Sequence, residues 1–120
     1  MKLPNFESAF IDRNKLWNYS LNSQHDRGKH KARLFTAILD LGRNDNDVEI
    51  LQTLIQESIQ TQEAILSSLD EYGQRYIVDF PITRNQNTVN VRTAWIVRPD
   101  EDFPRLVSCY ILRYSYSQLS

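Results

Sequence analysis

The chain has 120 residues, 41% of them hydrophobic and 24% charged, with 14 Lys plus Arg against 15 Asp plus Glu and a formal net charge of -1. That balance excludes a disordered or fibrous class, and it leaves no global field to attract nucleic acid, so any polyanion must be met by a local patch. The length suits one domain, read as an N-terminal arm at 1–10, a helical half at 11–60, a sheet half at 63–113 and a tail at 114–120.

The segment IDRNKLWNYSLN opens with Asp12, an N-cap residue type. It gathers Leu16, Trp17 and Tyr19 to Leu21 on one side, predicting a short first helix that fades at Asn22. After a polar break around Gly28, KHKARLFTAILDLG spaces Ala32, Phe35, Ile38 and Leu39 at helical intervals, with Leu34 and Leu41 widening the stripe and Gly42 as a C-cap. This predicts a central helix. NDNDVEILQTLIQESIQ carries the cap-type residues Asn44 to Asp47, with Asn46 and Glu49 at capping-box spacing. Val48, Leu51, Leu54, Ile55, Ser58 and Ile59 then fall along one face, the clearest helical pattern in the chain.

The period then changes. EAILSSLDEY is ambiguous; it reads as a fourth strand leading into a tight turn at Gly73, with a helix as the alternative. In GQRYIVDFPI, Tyr76, Val78 and Phe80 alternate with Arg75, Ile77 and Asp79; in NTVNVRTAWIVR, Val89, Val91, Thr93, Trp95 and Val97 alternate with Asn90, Arg92, Ala94, Ile96 and Arg98. These are strands with one apolar face, joined by the hairpin loop TRNQN. PDEDFP is a turn, and RLVSCYILR is a further strand, apolar on both faces and therefore expected to be central or covered. Helices first and strands second specify an α+β fold, with about three N-terminal helices packed on one face of a three- to four-stranded antiparallel sheet.

The lone Cys109 cannot form an internal disulfide and sits in an apolar run, so a buried, inert thiol in a reducing compartment is expected. MKLPNFESAF lacks the apolar core of a signal peptide, and no run approaches the roughly 20 apolar residues that span a bilayer, so the expected location is cytoplasmic. With three glycines and no nucleophile elbow, P-loop or dinucleotide fingerprint, most cofactor enzymes are disfavoured, and no cofactor is expected.

The most unusual stretch is HDRGKHKAR, residues 25–33, which holds both histidines together with Arg27, Lys29, Lys31 and Arg33. The separation of His25 and His30 suits neither a helical pair nor a zinc finger, which argues against a metal site. Cations at a helix start oppose the macrodipole unless something anionic binds, so the stretch fits a phosphate site and a solvated basic loop equally well. Arg75, Arg92 and Arg98 lie opposite the apolar strand face and could form a line of guanidinium groups; taken singly, each also fits an exposed strand charge that discourages aggregation. Tyr72, Tyr76, Trp95 and Tyr110 offer stacking surfaces, although Tyr76 and Trp95 fall on the core face. Thr93 places a hydroxyl in an apolar row, where a neighbouring hydrogen-bond partner is the simplest explanation. The chemistry open to His, Lys, Arg and a hydroxyl is cleavage of RNA without a metal, in which a base deprotonates the ribose 2'-OH, cations hold the phosphorane and an acid protonates the 5'-oxygen.

Two blocks, LWNYSLNSQHDRGKHKARLF and YGQRYIVDFPIT with VNVRTAWIVRPDEDFPRLVSCY, span most of residues 3–112. They resemble a bacterial domain family of unassigned function that often forms the C-terminal toxic tip of polymorphic, contact-dependent inhibition toxins and also occurs as short stand-alone proteins. The resemblance implies a fold similar to the barnase, EndoU, colicin and RelE-like ribonuclease toxins, and cleavage of RNA, with tRNA as a substrate class. It also implies a polar set at His25, Lys31, Arg75 and Thr93, with His30, Arg33 and Arg92 beside them; Lys29 of the basic stretch and Tyr72 of the aromatic set are further candidate substrate contacts. In that set His25 is the candidate base, Lys31 and Arg75 hold phosphate, and Thr93 orients a group or donates to the phosphate. Strand parity sets Thr93 and Arg75 on opposite faces unless a bulge or slip intervenes. The family usually has a Gly-containing hairpin where this chain has RNQN, and no secreted carrier is present, so an intracellular toxin with an antitoxin partner is expected. The alternative is a non-catalytic interaction module, an immunity-like protein or a degenerate toxin. That alternative predicts an exposed apolar patch or unpaired strand in place of a basic cleft.

Overall fold

The computed structural model describes residues 1–17, 35, 39–41 and 44–112. A one-turn 3-10 segment at Phe6–Ser8 precedes α1 (Arg13–Lys15), whose N-cap Asp12 accepts the backbone N–H groups of Asn14 and Lys15 at 2.9 and 3.3 Å. The long helix α2 runs over Asp45–Thr61. Four strands follow, β1 (Ala64–Asp70), β2 (Gly73–Arg84), β3 (Asn87–Val97) and β4 (Arg105–Ile111), antiparallel and in the order β1-β2-β3-β4.

The class is α+β, but the expectation of about three N-terminal helices is corrected: among the described residues one long helix, α2, accompanies the sheet. The central helix expected in the segment ending at Gly42 lies outside the described residues except at Phe35, Leu39, Asp40 and Leu41, of which Phe35, Leu39 and Leu41 are fully buried. Helix α2 begins earlier than the capping-box spacing suggests. Its N-cap is Asn44, without a side-chain bond, so Asn46 and Glu49 lie inside the helix, and Glu49 instead pairs with Arg13 at 3.1 Å.

The apolar stripe of α2 is buried at Val48, Leu51, Ile55 and Ile59. It packs in one core with Val78, Phe80 and Ile82 of β2, Val89, Val91 and Trp95 of β3, and Leu106, Cys109 and Ile111 of β4. EAILSSLDEY contributes a strand, β1. Strands β2 and β3 pair without interruption from Gln74 and Val97 to Arg84 and Asn87. Their hairpin closes on Asn85 and Gln86, with φ of 52° and 67°, a conformation that matches the strand twist without glycine. At the other end Gly73 has φ 138°, and a Cβ there would lie 2.3 Å from the Val97 carbonyl oxygen.

Strand β4 is an edge strand, so of the two expectations, central or covered, the first is corrected. Its start is covered: Phe10 bridges Arg105 in parallel, donating its N–H to Pro104 and accepting that of Leu106 at 2.9 and 3.0 Å. Beyond this, the register shift at Ala94/Trp95 places an extra residue, Val107, in β4 and changes which residues face the core.

Candidate functional site

Thr93 faces the core of the sheet and is fully buried. Its hydroxyl donates to the Val78 carbonyl at 2.7 Å and accepts the indole N–H of Trp95 at 2.8 Å. Both polar groups that β3 carries into the core are thereby satisfied, which is what burial demands. The hydroxyl is spent on the fold, and it is directed away from the face that carries Arg75 and Arg92.

That opposite face is built by strict alternation. Pairing aligns Asp79, Arg92 and Tyr110 in one row and Arg75, Ile96 and Arg105 in another. The four-residue offset between Arg75 and Arg92 corresponds to about 13 Å along the strands. Arg92 donates from Nε and Nη2 to the two carboxylate oxygens of Asp79, each at 2.9 Å. That hydrogen-bonded pairing, reinforced by Tyr110, raises the guanidinium pKa above its ordinary value. Arg75 lies 3.5 Å from the Asp70 carboxylate. Of the expected line of guanidinium groups, Arg75 and Arg92 share this face, each beside a carboxylate, while Arg98 lies just beyond the end of β3. A bidentate partner leaves a guanidinium with further N–H groups, so Arg92 retains donors for a second anion.

Thus the sheet brings Arg75 and Arg92 to one face with Tyr110, and places Thr93 on the other. Tyr72 stands apart, exposed at the β1–β2 turn, where its N–H donates to Asp70 at 2.9 Å. His25, Lys29, His30, Lys31 and Arg33 lie outside the described residues. Among the described residues no three His, Cys, Asp or Glu side chains gather closely enough to hold a metal ion, and no helix is long and apolar enough to cross a membrane. Cys109 is buried opposite Thr93, and burial pushes its thiol pKa up to about 12.

A family model described as a domain of unknown function (DUF6883) matches residues 2–113. The chain belongs to that family. Among solved structures, this DUF6883 chain is similar to a chain in the contact-dependent growth inhibition toxin–immunity protein complex from Klebsiella pneumoniae 342. The two share 14% identity and superpose with a TM-score of 0.65 over 85% of this chain and 98% of that chain, so they have a common fold. No curated protein matches the chain.

Sequence reasoning missed one surface of the DUF6883 chain. Ile65, Leu66, Leu69 and Tyr72 are 57, 59, 73 and 65% exposed along the edge strand β1 and the turn after it. Ile65 and Leu66 are neighbours in regular pairing with Ile77 and Tyr76 and therefore point to opposite faces, so both faces of β1 are exposed there, and the register shift follows before Leu69. The signal available in the sequence was the ambiguity itself: EAILSSLDEY fitted neither period cleanly.

Proposed function

We propose that this DUF6883 chain is a toxin domain that cleaves RNA without a metal, with tRNA the first substrate class to test. The observation that carries the reading is the fold common to this chain and 98% of a chain from a toxin–immunity complex. The basic stretch at 25–33 and the Arg75 and Arg92 face support it. In the reaction the ribose 2'-oxygen attacks the adjacent phosphorus, His25 takes its proton, and the bond to the 5'-oxygen breaks. The products are a 2',3'-cyclic phosphate and a 5'-hydroxyl, whose proton comes from a second acid, for which His30 is the candidate. Lys31 and Arg75, flanked by Lys29, Arg33 and Arg92, stabilise the phosphorane charge. Thr93 supports this only through the core. The natural partner of such a domain is an immunity protein or antitoxin.

The test is induction of the chain beside a His25→Ala, Lys31→Ala double variant, following growth and RNA integrity. Growth arrest with discrete RNA fragments, absent from the folded variant, supports the reading. Normal growth with intact RNA from soluble protein overturns it.

The exposed apolar edge of β1 favours a second reading, a non-catalytic module of immunity type. An open strand of this kind is a template for pairing with another chain. Under that reading the chain is harmless on induction, and Leu66→Lys with Leu69→Lys abolishes its association with a partner.

A further inference from the structure

A cavity of 150 Å³ lies where the start of α1 meets the adjoining ends of β3 and β4, lined by Lys15, Arg98, Arg105, Asp12, Phe10 and Ile96 among others. Its lining shares no residue with the row containing Arg92, while Ile96 and Arg105 belong to the row of Arg75. Its size falls below the roughly 300–1,000 Å³ that encloses a drug-sized ligand, and suits a single phosphate group with the rest of its molecule outside.

The three cations differ in how they are held. Arg105 is fixed, donating to Glu101 at 2.8 and 2.7 Å and lying 5.0 and 5.1 Å from the ring centres of Phe10 and Phe103. Lys15 and Arg98 are exposed, and among the described residues neither is matched by an ion pair. Of the nearby carboxylates, Asp12 lines the pocket and accepts two backbone amides, and Glu101 is taken by Arg105 and also feels the charge of Arg98. Two cations held in no close ion pair among the described residues therefore share a concave site with a pre-oriented third. A guanidinium fork with a Lys point charge is the arrangement that recognises phosphate. Phe10, 46% exposed at the rim, adds an aromatic surface on which a base can stack.

We propose that this pocket binds a backbone phosphate of single-stranded RNA and so guides the strand across the end of the sheet. The proposal rests on the ribonuclease reading for its ligand, while the pocket itself does not. In this role Lys15 and Arg98 are binding residues, and Arg105 positions the site.

The experiment measures binding of a labelled 2'-O-methyl RNA, which lacks the attacking hydroxyl, to the wild-type chain, to Lys15→Gln with Arg98→Gln, and to Arg13→Gln as a control. In parallel, inorganic phosphate is titrated into labelled protein and followed by NMR. Losing two charge-assisted contacts weakens RNA binding by at least about tenfold in the double variant. Arg13→Gln leaves it unchanged, because that side chain is already paired with Glu49. Wild-type RNA binding that the double variant retains in full overturns the pocket and spares the ribonuclease reading. Phosphate-induced shifts at Lys15 and Arg98, lost in the double variant and accompanied by no RNA binding at all, uphold the anion site but overturn RNA as its ligand. Neither RNA binding nor phosphate shifts overturns the proposal entirely.

Discussion

The Trp95 indole donates to the Thr93 hydroxyl from two positions along the same face of β3, and both residues are fully buried. Thr93→Val keeps the shape but leaves the indole N–H and one acceptance site on Val78 unmet. The expected cost is about 1–3 kcal/mol of unfolding free energy, the penalty for an unsatisfied buried donor. Thr93→Ser restores most of it. Denaturant melts of the three proteins check this, and any activity measured on folded Thr93→Val should be retained.

Gly73→Ala should be far less tolerated than an ordinary turn substitution. The backbone there holds φ 138°, and the added Cβ would meet the Val97 carbonyl oxygen at 2.3 Å. Strain of the backbone alone costs about 1–3 kcal/mol, and the collision adds to it. A denaturation midpoint unchanged from wild type would refute this account of the turn.

The Arg105 guanidinium beside Glu101 holds its carboxyl below the ordinary value of 4.5. A depressed carboxylate contributes stability that is complete above that ordinary value and is lost as pH falls through the lower folded value. Glu101→Gln should therefore flatten the acid side of a thermal-stability profile below pH 4.5, with little effect on the slope above it. Melting scans at stepped pH read this directly.

Cys109 should be silent towards thiol reagents while the chain is folded. Burial pushes its pKa up to about 12, so almost no thiolate exists at neutral pH and none of it is accessible. A disulfide reagent added at pH 8 should react only after denaturant is present, and at the rate of unfolding.

The paired strands β2 and β3 were legible because alternation with a single buried face fixes both period and register. That parity also separates Thr93 from Arg75, and the uninterrupted pairing of Gln74 to Arg84 provides no bulge to reunite them. The edge position of β4 was hidden because apolar residues on both faces resemble a central strand. Here they arise from the Phe10 bridge at one end and the extra Val107 in the middle, a long-range contact and a bulge that local pattern does not encode. The bidentate union of Arg92 with Asp79 was readable in principle, since the two stand directly opposite across the hairpin. Arg98, Lys15 and Phe10 come together only through the turn at 99–104 and the N-terminal arm, so no motif announces their pocket.

The tip of the β2–β3 hairpin reaches back across the sequence. Arg84 donates its Nε to the Leu39 carbonyl at 2.8 Å, and Asn85 adds a second bond to the same oxygen at 3.4 Å, just before Asp40 turns to φ 55°. During synthesis, Leu39 is added to the chain 45 residues before Arg84, whose side chain secures its carbonyl. Local contacts form early and distant ones wait for loop closure. The Leu39 carbonyl thus acquires these two bonds only once the hairpin has been completed, so nascent chains truncated before residue 84 should lack them.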